Sequence, residues 1–185
     1  RAEGGDVLQF TGDGLKAAFG TTHGQEQQAE AAVRAGLAIV QAAAAHAARL
    51  RDSHGLHNFG VRVGVHTGPV VLGGGIDADR TAMGHAVHLA ARLEQAAPVG
   101  RLRISHETWA QVRGLFRVEP QPPLVVKGHD EPLVTYLVDA ALPDPERAPR
   151  RGLDQVNSPL IGRDDGLEAL RDRLAPGAAA APPVA

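Results

Sequence analysis

The sequence predicts an α+β fold: an antiparallel sheet with helices packed on one face. Three observations predict it. Short apolar stretches bounded by glycine and proline recur from Val7 to Asp139, as strands do. Two longer stretches, near residues 25–51 and 84–95, carry apolar side chains at three- and four-residue spacing, as helices do. The two kinds alternate along the chain, which builds one sheet with its covering helices.

The first element is a hairpin. Gly4-Gly5-Asp6-Val7-Leu8-Gln9-Phe10-Thr11-Gly12-Asp13-Gly14-Leu15-Lys16-Ala17-Ala18-Phe19 sets strand-type Val7, Phe10, Leu15 and Phe19 on either side of a tight Gly-Asp-Gly turn. Glycine on both sides of Asp13 removes side-chain bulk, so a large anion or a hydrated metal can approach the turn closely. Read alone, Asp13 is an ordinary turn residue.

From Gln25 to about Arg51 runs one long helix, with Ala29, Ala32, Val33, Gly36, Leu37, Val40, Ala44, Ala47 and Leu50 at helical spacing and an end at Ser53 to Gly55. Phe59 to Val65 and Val70 to Leu72 read as strands around Thr67-Gly68-Pro69, and Gly73 to Asp79 as a glycine-rich connection. Gly84 to Gln95 is the second helix, stopped before Pro98. Val87, Ala90, Ala91 and Glu94 mark its spacing, and His88 and Arg92, one turn apart, share a face. Leu102 to Ile104 is a short strand, and Glu107 to Arg113 a helix with Ser105 as N-cap. Phe116 to Glu119 and Leu124 to Lys127 read as strands around Pro120, Pro122 and Pro123, and Leu133 to Asp139 as the last strand. Pro143 to Pro149 has the composition of a linker.

Composition excludes several functions. A net charge of -2 argues against a nucleic-acid partner, which calls for a basic face. No apolar run approaches the roughly 20 residues of a membrane span. The N-terminal residues show no signal-peptide pattern. The absence of cysteine excludes disulfides and fits the cytoplasm. No His-Glu-x-x-His or Cys/His pattern accompanies the 9 histidines, which argues against a zinc site. At 185 residues the chain holds one good-sized domain and a tail.

A hairpin-tip carboxylate, an exposed helical arginine and the strand-end lysine of Val125-Val126-Lys127-Gly128 are parts that a nucleoside triphosphate requires. The hairpin, Val61-Arg62-Val63-Gly64-Val65-His66-Thr67-Gly68-Pro69-Val70-Val71, Arg80-Thr81-Ala82-Met83-Gly84, Arg92-Leu93-Glu94, and Val126-Lys127-Gly128 before Tyr136 follow one another in an order that resembles the class III nucleotidyl cyclase catalytic domain. That is the family of adenylate and guanylate cyclases. The resemblance implies a ferredoxin-like topology and conversion of ATP to 3′,5′-cyclic AMP and pyrophosphate. It also implies two Mg2+ or Mn2+ ions per site and a homodimer with composite sites.

Residue by residue, the resemblance makes Asp13 a metal ligand, Arg92 the transition-state arginine, Lys127 the triphosphate lysine and Thr81 a nucleobase contact. Two positions depart from the family. Gln9 stands where adenylate cyclases place a purine-selecting lysine, which leaves ATP against GTP open. His88 stands where the family has a ribose-orienting asparagine. Either the enzyme is slow or altered in substrate, or the domain no longer catalyses. The family's other metal aspartate lies on a strand ahead of the hairpin, and nothing in the chain matches that strand. The expectation is a domain lacking its first strand and helix, and a fragment inactive alone.

The domain is expected at residues 1–140, a linker at 141–157, and the start of a further region at 158–185. There Ser158-Pro159-Leu160-Ile161-Gly162-Arg163-Asp164-Asp165-Gly166-Leu167-Glu168-Ala169-Leu170 resembles the opening segment of AAA-type signal-transduction ATPases, without a phosphate loop. The competing reading of the whole is a degenerate, non-catalytic cyclase module that dimerises and regulates an attached ATPase.

Overall fold

The computed structural model describes residues 4–21, 27–73, 82–126, 128 and 131–143. The chain divides into two compact units, Arg1–Ala148 and Pro149–Ala185, and every described residue belongs to the first. Thr81, Lys127, most of the Gly73–Asp79 connection, most of the linker and the ATPase-like segment therefore lie outside the described residues.

Among the described residues, eleven elements follow one another: β1 (Asp6–Thr11), β2 (Gly14–Ala18), α1 (Gln28–His54), β3 (Val63–Val65), β4 (Val71–Leu72), β5 (Ala82–Met83), α2 (His85–Ala96), β6 (Leu102–Ser105), α3 (His106–Val112), β7 (Phe116–Leu124) and β8 (Leu133–Ala141). The central sheet has the order β3-β6-β8-β7. Its β6–β8 and β7–β8 pairs are antiparallel, and β3 pairs with β6 in parallel. The hairpin β1–β2 and the short pair β4–β5 form two-stranded sheets of their own.

α1 ends where the sequence says it should. Gly55 takes the left-handed conformation (φ 66°), and its N–H bonds Arg51 O at 3.0 Å. The helix buries Ala29, Val33 and Gly36 against the sheet. At Gly36 a Cβ would stand 3.1 Å from both methyls of Leu102, so glycine sets how closely helix and sheet approach. With 27 residues and a mean hydropathy of 1.3 in its most apolar stretch, α1 is long and apolar enough to cross a membrane, contrary to the sequence reading. Its many alanines raise the average without forming an unbroken run of large side chains.

The α+β class and the cyclase-like arrangement hold, but helices cover both faces of the sheet. Val63 meets Gly36 of α1, whereas a Cβ on Gly64 would collide with Ala90 O and Glu94 N of α2. Successive strand residues point to opposite faces, so α1 and α2 lie on opposite sides. One core gathers Ala29, Val33, Leu102, Ile104, Val112, Leu115, Phe116 and Val138, and a second gathers Leu89, Val126 and Leu133.

Other elements differ in extent. Only Val63–Val65 of the expected first strand is a strand, and β4 pairs with β5 instead of β3. The prolines of β7 do not split it: Phe116–Leu124 is one strand, with register shifts at Arg117/Val118 and Gln121/Leu124. It tolerates them because it is an edge strand, where a missing N–H can face away from β8. α2 forms where the spacing of Val87, Ala90, Ala91 and Glu94 marks a helix, and it buries Ala86, Leu89 and Leu93. Contact with the flat surface at Gly64 and with the second core decides which side turns inward.

Candidate active site

The hairpin forms through its turn. Gly12 has φ 62°, a conformation that favours glycine, and Thr11 pairs with Gly14 across Gly12 and Asp13. Asp13 stands exposed at the tip and, among the described residues, makes no hydrogen bond or ion pair. Around Gly12 a Cβ would meet nothing within 4 Å. At the base, Phe19 closes over Gly5, and Thr21 donates to the Asp6 carboxylate. Gln9 faces Lys16 across the strands, and Lys16 Nζ donates to Gln9 Oε1 at 3.3 Å.

α2 starts at Gly84, whose φ of 133° only glycine adopts readily. Its inward side packs on the sheet, and His88 and Arg92 stand one turn apart on the exposed side. Arg92 Nη1 donates to Gln95 Oε1 at 2.8 Å. The structure thus joins Gln9 and Asp13 on the hairpin, and His88 and Arg92 on α2.

Beneath α2 lies a residue that the sequence reading did not single out. Arg103, 8% exposed, sends Nε and Nη2 to Thr135 Oγ1 at 2.9 and 2.7 Å, Nη1 to Ala96 O at 2.8 Å, and Nη2 to Pro122 O at 3.3 Å. Desolvation lowers its pKa, but a guanidinium stays charged in proteins. An arginine inside an apolar strand, Leu102-Arg103-Ile104, is the signal that marks it.

A second polar cluster lies at the end of β3. His66 Nδ1 meets Ser105 Oγ at 2.8 Å and Glu107 Oε2 at 3.6 Å, and Thr67 and Thr108 hydroxyls are 3.0 Å apart. Ser105 caps α3 by accepting from Thr108 N, as expected. Burial pushes the Glu107 carboxyl up. Hydrogen bonds from Ser105 and from its own backbone, with the charges of His66 and His106, outweigh that and leave it below the usual range. Both of these ring contacts fall on Nδ1 of His66.

No group of three or more His, Asp or Glu residues converges among the described residues. At the hairpin tip, Asp13 offers an exposed carboxylate that has no partner among the described residues. That fits a hard cation such as Mg2+, which takes one or two protein carboxylates and finds its other ligands in water and phosphate.

Residues 5–140 match the family described as the adenylate and guanylate cyclase catalytic domain. Adenylate cyclase 1 of Rhizobium meliloti (strain 1021) is 38% identical over 96 residues, which is 50% of this chain and 14% of that protein. The chain thus spans a small part of that relative. The structure of the adenylyl cyclase CyaB from P. aeruginosa superimposes with a TM-score of 0.71 at 31% identity, covering 77% of this chain and 76% of that one. The guanylate cyclase domain of RhGC from Catenaria anguillulae, solved with GTP, shares the fold with a TM-score of 0.64 at 24% identity over 76% of this chain and 75% of that one. A match across the hairpin, the sheet and α2 alike leaves one conclusion: this chain belongs to the adenylate and guanylate cyclase family through its catalytic domain.

Proposed function

We propose that the domain converts ATP to 3′,5′-cyclic AMP and pyrophosphate. The observation that carries this is the unpartnered Asp13 at the hairpin tip, in a chain whose residues 5–140 match the cyclase family. The ribose 3′-hydroxyl attacks the α-phosphorus, and pyrophosphate leaves. Asp13 would hold Mg2+ or Mn2+, and the bound ion would supply Lewis acidity for ionising the hydroxyl and positive charge for the phosphates. Arg92 leaves Gln95 and meets the charge growing on the α-phosphate oxygens. His88 orients the ribose. Thr81 and Gln9 face the base, and Lys127 holds the triphosphate.

Two copies build each site in this reading. One protomer brings Asp13, and its partner brings Gln9, Thr81, His88, Arg92 and Lys127. A second metal carboxylate comes from a strand ahead of the hairpin, and the protein works in the cytoplasm with an ATPase region attached. The separateness of the hairpin, hydrogen-bonded to no other strand among the described residues, supports a further strand beside it. The test is cyclic-nucleotide formation from ATP with manganese, by the full-length protein and by residues 1–185. The reading expects product from the first only. Equal activity in both contradicts the upstream carboxylate.

The non-catalytic reading draws on one observation. Gln9 and His88 both replace residues that the family uses at the nucleoside. A full-length protein that binds nucleotide and never turns it over would establish that reading.

A further inference from the structure

Gln9 and Lys16 are direct partners across β1 and β2, so their side chains leave the same side of the hairpin. Phe10 and Leu15, the next pair, leave the other side. Lys16 is half-buried, and among the described residues it forms no ion pair. Its ammonium donates to Gln9 Oε1. An ammonium only donates, so this bond fixes the amide: the oxygen faces Lys16 and the NH2 turns away. The pair then offers the two remaining ammonium N–H groups and the amide NH2 as donors, with one lone pair of the amide oxygen still open.

We propose that Lys16 supplies, from the neighbouring strand, the cation that reads the purine, and that it selects adenine over guanine. The proposal rests on Gln9 facing the base, as in the function proposed above. The chemistry of the two bases differs at N1. Adenine N1 is a bare acceptor, whereas guanine N1 carries a hydrogen. A donor-only ammonium bonds the first and opposes the second, and a site that leaves a buried donor unpaired discriminates strongly. The lysine missing at position 9 is thereby replaced from position 16, with Gln9 holding its ammonium in place.

The test uses the full-length protein with ATP and GTP, read both as initial rate of cyclic-nucleotide formation and as equilibrium binding. Lys16→Met is expected to lower the ATP:GTP preference at least about tenfold, and Lys16→Glu to reverse it. Exchanging the pair, Gln9→Lys with Lys16→Gln, is expected to restore the preference, since the ammonium returns to the same place from the opposite strand. Unchanged thermal unfolding shows that the hairpin is intact, and Lys16→Gln serves if Lys16→Met unfolds. A preference that Lys16→Met leaves unchanged or strengthens overturns the proposal, as does an exchanged pair that fails to restore it. Wild-type protein that binds ATP over GTP through Lys16, with no turnover, contradicts the proposed catalysis and upholds the role of Lys16. Protein that binds neither nucleotide overturns both.

Discussion

Arg103 Nη1 donates to the carbonyl oxygen of Ala96 at 2.8 Å, tying the buried strand β6 to the last turn of the helix that carries His88 and Arg92. The same guanidinium reaches Thr135 of β8 and Pro122 O of β7. One side chain therefore fixes α2 to three strands of the sheet. The carbonyl it serves belongs to a helix end, where no intrahelical partner is available.

Replacing Arg103 should reveal this. Arg103→Met leaves the buried Thr135 Oγ1 and two part-buried carbonyls without their donor, and a destabilisation of about 3 kcal/mol is expected. Arg103→Lys should recover only part, because an ammonium cannot span the planar fork of contacts. Denaturant unfolding of both variants checks it. A change below about 0.5 kcal/mol for Arg103→Met, the size of an ordinary surface substitution, contradicts the clamp.

Composite sites predict complementation. Asp13→Ala and Arg92→Ala proteins, each inactive alone, should regain part of the activity when mixed, since one interface of the mixed dimer unites an intact Arg92 with an intact Asp13. Sedimentation of the mixture should show dimers. Activity that stays absent in a mixture shown to contain mixed dimers contradicts the two-copy site.

His88→Asn should raise turnover. A shorter amide in place of the imidazole orients the ribose more closely, and misplacement of a reacting group by ~1 Å costs about a hundredfold. His88 is exposed on α2, so the change should leave stability within about 0.5 kcal/mol. Steady-state rates with ATP decide it, and a fall in kcat shows that the imidazole itself is used.

Glu107 gives a pH dependence of stability. Its carboxyl is held below its usual range in the folded protein. The stabilisation it brings is therefore fully present above the unfolded value, about 4.3. It is lost as pH falls through the lower folded value. The side chain is 52% exposed, so solvent screens the effect and it stays small. Thermal unfolding of wild type and Glu107→Gln at pH 3 to 7 should show a shallower acid loss in the variant. Parallel curves contradict the assignment.

The hairpin was legible in the sequence because an Asp-Gly turn is local chemistry that sets its own register. The cap at Ser105 and the stop at Gly55 were legible for the same reason. What depended on tertiary contact was not. The inward side of α2 is chosen by Gly64 and the second core, far away in sequence. The prolines of β7 read as breaks because the edge position of that strand is a property of the sheet. Two-sided coverage follows from the alternation of Val63 and Gly64 once their partners are known. Among the residues of the proposed site and its surroundings, Asp13, Gln9, His88 and Arg92 stood out by motif. Lys16 and Arg103 did not, because each matters through the residue it touches: Gln9 across the hairpin, Ala96 and Thr135 across the core.

The central claim is that Asp13 holds the metal of a working cyclase. The most direct measurement is cyclic AMP formed from ATP by full-length wild type and full-length Asp13→Ala, with and without Mn2+. Wild type should form product only with the metal. Asp13→Ala should form none, while its unfolding free energy stays within about 0.5 kcal/mol, because an exposed turn carboxylate contributes little to packing. Wild type without product, or Asp13→Ala that keeps most of its activity, contradicts the account.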